Sequence, residues 1–256
     1  MHCCTDIRNG SNMRRFLPAI LLALAWPGAL VASPAEDWSL FRGDPQLTGV
    51  AGEVLEVPLA PRLTLQVGEG TESTAAILDG TVYVGSLDGF LWALDLATGK
   101  PLWKYEAGDE IKSSPTVRDG TVYFGDEAGA FHAVEAGSGK PRWVFQADAG
   151  IISSANFAAE CVLFGSQDNF LYCVKPTDGS LLWKVETGSY VYATPALTTV
   201  NGKTAALSAG CDGLLRAVDT TDGSEIKTIE MGAYVGASPA VGGAQTALAH
   251  TARAMG

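Results

Sequence analysis

A unit of about 40 residues, first seen whole at residues 71–110, recurs three more times along this chain, and a period of that size is the mark of a repeat architecture. In the first copy Asp79-Gly80 separates an apolar run from Thr81-Val82-Tyr83-Val84. Asp-Gly between such runs is a hairpin signal, because both turn positions need positive φ. Asp88-Gly89 repeats the signal before residues 90–94, and Ala97-Thr98-Gly99-Lys100 leads into residues 101–106, whose large side chains suit a packed strand. Each copy therefore reads as a four-stranded antiparallel meander.

The second copy, 111–150, keeps the offset of 40 without insertion, and so does the third, 151–190, where Ala159-Glu160 replaces Asp-Gly and Gln167-Asp168-Asn169 replaces Leu-Asp-Gly. Asn tolerates left-handed geometry, so that turn is expected to survive. The fourth, 191–234, is four residues longer, with Val200-Asn201-Gly202 in its first turn and Lys227 where tryptophan is due. A fifth begins at Val235 and loses its pattern before Gly256. Upstream, residues 61–68 match 101–108 and read as an orphan outer strand, behind an irregular lead-in over 36–60 expected to pack on the domain.

Four strands per unit at a fixed period predict an all-β fold, a β-propeller of four-stranded antiparallel blades. A β-sandwich would not reproduce one spacing three times. Strands apolar on both faces, such as 81–85 and 90–94, fit a blade packed between blades. With four full units and partial ones at each end, the ring is expected to be incomplete and the chain a truncated piece of a longer array; a terminal cap is the competing explanation for the end.

Met13-Arg14-Arg15, the apolar run 16–31 and Ser33-Pro34-Ala35 read as a secretory signal peptide over 13–35, too short for a membrane span and followed by an acidic segment. Residues 1–12, with Cys3 and Cys4, show no targeting logic and read as a doubtful extension. From Glu36 onward 14 Lys/Arg face 27 Asp/Glu. A net charge of −13 makes nucleic acid and anionic lipid poor partners. Export implies the periplasm or cell envelope, where disulfides persist. Cys161 and Cys173 fall on successive strands, one diagonal step apart on one face, so either a disulfide or two small buried side chains is consistent with their positions; Cys211 leaves the count odd.

Ala93-Leu94-Asp95-Leu96-Ala97-Thr98-Gly99-Lys100-Pro101-Leu102-Trp103 resembles the tryptophan-docking motif A-x-D-x-x-T-G-K-x-x-W of the pyrroloquinoline-quinone-like propellers. Later copies keep Gly139 and Trp143, Gly179 and Trp183, and Gly223. The resemblance covers about residues 61–241 and implies that Asp95, Thr98, Gly99, Trp103 and these later residues join neighbouring blades. It says nothing about activity. The family includes quinone-dependent dehydrogenases, the propeller subunit of the outer-membrane β-barrel assembly machinery and exported proteins without assigned activity. For the dehydrogenases the resemblance implies a calcium-bound quinone over the axis, an acidic base and an adjacent cysteine pair, and here the adjacent pair, Cys3-Cys4, precedes the signal peptide.

Chemistry-bearing motifs are scarce. His132 and His250 form no metal-spaced cluster, and no nucleophile elbow, phosphate loop or H-E-x-x-H segment occurs. Propeller geometry would bring the second-to-third-strand turns and the links between blades together around the axis. The turns nominate Asp126, Glu127, Gln167, Asp168, Asn169, Cys211 and Asp212; the links nominate Lys112, Tyr190, Tyr192 and Tyr234. Exposed tyrosines often anchor protein partners. The expectation is a non-enzymatic protein-binding module with no cofactor, in the manner of envelope assembly; the alternative is a fragment of a quinoprotein dehydrogenase acting on alcohols or sugars, with pyrroloquinoline quinone and calcium.

Overall fold

The computed structural model describes residues 37–52, 57–61, 64–243 and 245–247; the expected extension 1–12, the signal peptide 13–35, Cys3-Cys4 and the tail from 248 lie outside the described residues. Among the described residues all regular structure is β, and no helix is long and apolar enough to cross a membrane. The first blade is β1 (Ala76–Leu78), β2 (Thr81–Gly85), β3 (Phe90–Asp95) and β4 (Pro101–Glu106). The second is β5 (Thr116–Arg118), β6 (Thr121–Gly125), β7 (Ala130–Glu135) and β8 (Pro141–Gln146). The third is β9 (Asn156–Ala158), β10 (Cys161–Gly165), β11 (Phe170–Val174) and β12 (Leu181–Glu186). The fourth is β13 (Ala196–Val200), β14 (Lys203–Ala209), β15 (Leu214–Asp219) and β16 (Glu225–Glu230), and β17 (Ala240–Gly242) with β18 (Gln245–Ala247) opens a fifth. Each of the four full sheets is ordered as the chain runs, and the fifth has two strands; the arc of blades is not closed.

Turn chemistry sets these boundaries. Asp79 and Gly80 have φ of 48° and 72°, and Asp119 and Gly120 have 49° and 69°, as a two-residue hairpin of this hand requires. Ala159 is held at 48° and Asn169 at 74° in the corresponding turns of the third blade. Every outer pair then carries one register shift, at Ala93/Leu94, Ala133/Val134, Cys173/Val174 and Ala217/Val218. Such a bulge bends the outer strand and adds twist.

The core lies between blades. Phe124 and Val122 of the second blade pack with Tyr83, Leu91 and Ala93 of the first, while the Phe131 and Phe164 rings of the second and third stack 3.9 Å apart. Trp103 donates its indole N–H to the Ala136 carbonyl at 2.9 Å, Trp143 to Pro176 at 2.9 Å and Trp183 to Thr220 at 3.2 Å. Each ring lies on a glycine of the next blade: a Cβ on Gly139, Gly179 or Gly223 would come within 2.7, 2.6 and 2.9 Å of it. In the turn before Trp103, Asp95 Oδ1 accepts from the Thr98 N–H and hydroxyl at 2.7 and 2.6 Å, and the Gly99 N–H bonds the Asp95 carbonyl at 2.7 Å.

A second seam follows the inner edges. Thr74 N–H donates to the Ser114 hydroxyl, Ser114 to Ser154, Ser154 to Thr194 and Thr194 to Ser238, so one backbone-to-hydroxyl bond ties each blade to the next. Cys161 and Cys173 sit diagonally across β10 and β11, because Leu163 is the direct partner of Cys173. Their Cα atoms are 5.5 Å apart and the sulfurs are bonded.

The orphan outer strand expected over 61–68 is corrected: among its described residues none is in a strand. Its register is nevertheless that of a preceding blade. The Leu87 N–H bonds the Gly70 carbonyl as Glu127 bonds Glu110 and Gln167 bonds Gly150, 40 residues apart each time. An outer strand pairs with the third strand of its own sheet, and among the described residues no strand precedes this segment. The lead-in packs on the domain, with Trp38 bridged to Ile77 and Leu47 fully buried.

Candidate binding face

The turns after β2, β6, β10 and β14 and the links between blades share one end of the arc, and the nominated residues divide there by role. The turn carboxylates are fasteners. Asp126 Oδ2 accepts from the Gly108 N–H at 3.2 Å, Asp168 Oδ2 from Asp148 at 3.1 Å and Asp212 Oδ2 from Gly188 at 2.8 Å. The donors stand at the same position, just after the outer strand of the preceding blade, so each carboxylate clasps one blade to its neighbour.

Asp126 is the most deeply set. It is 0% exposed, and it also accepts from the Ala130 N–H at 2.8 Å and from His132 Nε2 at 3.0 Å. The Tyr105 hydroxyl on β4 lies 3.1 Å from Nδ1, on the other side of the ring. The His132 ring stacks on Phe124 with centroids 4.8 Å apart. Burial alone would raise the Asp126 carboxyl, but the bonds from His132, Ala130 and Gly108 outweigh it and hold the group below the ordinary range. A Tyr-His-Asp series invites a catalytic reading, yet His132 is 4% exposed, and its bonds to Tyr105 and Asp126 join blade one to blade two.

Lys112, Glu127 and Gln167 form an ionic patch. Lys112 Nζ lies 2.8 Å from Glu110 and 2.9 Å from Glu127, and Gln167 donates to Glu127 at 3.2 Å; the bonds to Glu110 and then Glu127 raise the Lys112 amine. Asp168 takes the Tyr172 hydroxyl at 2.7 Å, and burial, then Asp168, push that phenol up. Asn169 keeps its turn left-handed, and its carbonyl accepts from Thr187. Asp212 pairs with Arg216 at 2.6 Å.

The tyrosines are different in kind. Tyr190 and Tyr192 rings lie 5.6 Å apart, and Tyr190 is 47% and Tyr234 65% exposed. Tyr190 and Tyr234 occupy the same link position at the ends of the third and fourth units, where the first two end in Glu110 and Gly150 and Gly70 precedes the first. Below them the Cys211 N–H bonds the Tyr190 carbonyl, and burial, then Asp212, raise the Cys211 thiol.

A calcium-bound quinone would need uncommitted carboxylate oxygens at this end. Asp126, Glu127, Asp168 and Asp212 are each occupied by backbone N–H groups, by a cation or by a hydroxyl, and among the described residues no group of three or more His, Cys, Asp or Glu side chains is arranged to hold a metal ion. These residues do not fit that group. At the opposite end an open recess of about 450 Å³ between the second and third blades is lined by Arg118, Tyr123, Arg142 and Phe157 with Asp119 and Glu160; its charges are balanced. Sequence reasoning nominated neither Tyr105 nor the hydroxyl seam, although Ser114, Ser154, Thr194 and Ser238 share one repeat position and so carried the signal.

The model of the family described as outer membrane protein assembly factor BamB matches residues 53–190, more than half of the chain. No curated protein matches. Among solved structures, BamB from Moraxella catarrhalis superposes with a TM-score of 0.57 at 21% identity over 67% of this chain and 52% of that one. The quinohemoprotein alcohol dehydrogenase ADHIIG from Pseudomonas putida HK5 gives 0.51 at 19% over 61% of this chain and 34% of that one. A europium-containing methanol dehydrogenase gives 0.55 at 16% over 61% and 41%. The chain thus spans about half the length of the BamB structure it matches, and at these identities the likeness is one of fold.

Proposed function

Because the chain belongs to the family of outer membrane protein assembly factor BamB, within the pyrroloquinoline-quinone-like propellers, we propose that it is an exported, non-enzymatic module that binds protein partners in assembly of the cell envelope. The observation that carries this reading is the division of labour at the turn-and-link end. Its carboxylates are used in holding blades together, while Tyr190 and Tyr234 are exposed, with the half-buried Tyr192 beside Tyr190, at positions the blade repeat does not need. Tyrosine brings large amphipathic contact area at low entropic cost, the property of interface anchors. Export follows from the signal-like segment 13–35, and the acidic balance from Glu36 onward disfavours nucleic acid.

The likeness to quinoprotein dehydrogenases keeps a second reading in view, a dehydrogenase fragment acting on alcohols or sugars. Incubation with pyrroloquinoline quinone and calcium, followed by a dye-linked assay on both substrate classes, separates the two. No turnover is expected, and quinone-dependent dye reduction would defeat the scaffold reading. In parallel, the chain and its Tyr190→Ala/Tyr234→Ala variant are used to capture proteins from envelope extract. A species held by the parent and lost with the variant is expected; equal recovery by both would remove these tyrosines from the binding face.

A further inference from the structure

In an antiparallel sheet alternate residues of an edge strand point their N–H away from the neighbouring strand. On the inner strands β1, β5, β13 and β17 the second residue does so, namely Ile77, Val117, Leu197 and Val241, and their N–H groups face the axis of the arc. Each is taken by a carbonyl of the lead-in: Ile77 by Trp38 at 2.9 Å, Val117 by Ser39 at 2.6 Å, Leu197 by Pro45 at 2.8 Å and Val241 by Gln46 at 2.9 Å. On the third blade the Asn156 side-chain amide reaches the Pro45 carbonyl at 2.8 Å.

We propose that residues 38–47 form an axial strap, fastened in chain order to the inner strand of every described blade. The blades are met in the sequence one, two, three with four, five as the lead-in advances, a correspondence that casual surface packing would not produce. The strap is anchored at its far end. Leu47 is fully buried against the core between the fourth and fifth blades, together with Leu40 and Phe41, and the Asp44 carboxylate and carbonyl hold the Thr48 and Leu47 N–H groups. Arg42 and Leu47 have φ of 59° and 57°, a conformation unfavourable for residues with side chains that persists where the surroundings over-determine it. Gly43, at φ +83°, lies under the Trp38 ring, 2.8 Å from where a Cβ would stand.

Without this segment a row of inward-facing strand edges would be unpaired, the condition that invites pairing with other chains. With it, those edges are paired, whatever the turn-and-link end binds.

Residue-resolved hydrogen exchange of the full chain tests it, because an amide facing an empty axis exchanges with water and one bonded to the strap does not. The Ile77, Val117, Leu197 and Val241 amides are expected to exchange at least about a hundredfold more slowly than unstructured chain. In Leu47→Ala those amides should lose protection selectively, while Val122 and Val162 inside the blades keep theirs. Exchange of the four at unstructured rates in the parent chain would overturn the strap. So would undiminished protection in both Leu47→Ala and a second variant, Gly43→Val, which forces the Trp38 ring away.

Discussion

At the scale of single residues, Asp126 shows how the blades are joined by charge in a buried place. Three donors on a carboxylate out of water make a bond set that is costly to break, on the order of 3 kcal/mol when one partner of such a pair is removed. Asp126→Asn is therefore expected to lower stability by roughly that amount at pH 7, measured by urea unfolding. The sign with pH follows from a folded pKa held below the unfolded value. The contribution is present above the unfolded carboxylate pKa of about 4 and is lost as pH falls through the lower folded value. The gap between parent and variant should then close only under acid conditions, as pH falls below the ordinary carboxylate range; a gap unchanged throughout that range would contradict the account. None of this was readable from a lone His132 in the sequence, because the partner Tyr105 lies 27 residues earlier and only the packing of blade one against blade two brings them together.

At the scale of the element, the repeat carried most of its own description. Turn dipeptides and the recurrence of tryptophan placed the sixteen strands of the four full blades, since hairpin geometry and a fixed period are local properties. What depended on pairing partners was not readable: 61–68 has the composition and register of an outer strand, and none of its described residues is in one. The Trp143 indole lies on Gly179 and bonds Pro176, so Trp143→Ala should cost about 3–5 kcal/mol. Lys227→Ala, at the equivalent position in the fourth blade, should cost less than about 1 kcal/mol; matched thermal unfolding of the two variants checks the contrast. The Cys161–Cys173 bridge closes a short hairpin. Alkylation before and after reduction, mapped by mass spectrometry, should modify Cys161 and Cys173 only after reduction, and Cys211 slowly without it at pH 8, since its thiol is raised. Modification of all three without reductant would show the bridge to be absent.

At the scale of the molecule, four full blades and the start of a fifth make an open arc whose inner edge is bound by the strap and whose turn-and-link end is assembled from both joinery and display. Spacing nominated the carboxylates of that end, yet it could not show that backbone N–H groups already occupy Asp126, Asp168 and Asp212. The tyrosines stood out for the opposite reason, as residues the repeat does not require. Whether that end is a protein-binding face is tested most directly by site-specific photocrosslinking of the full chain in envelope membranes, with the crosslinker at position 234 and, as a control at the opposite end of the blades, at position 119. A discrete protein adduct from 234 and none from 119 is the expected result. No adduct from 234, or the same adducts from both positions, would contradict it.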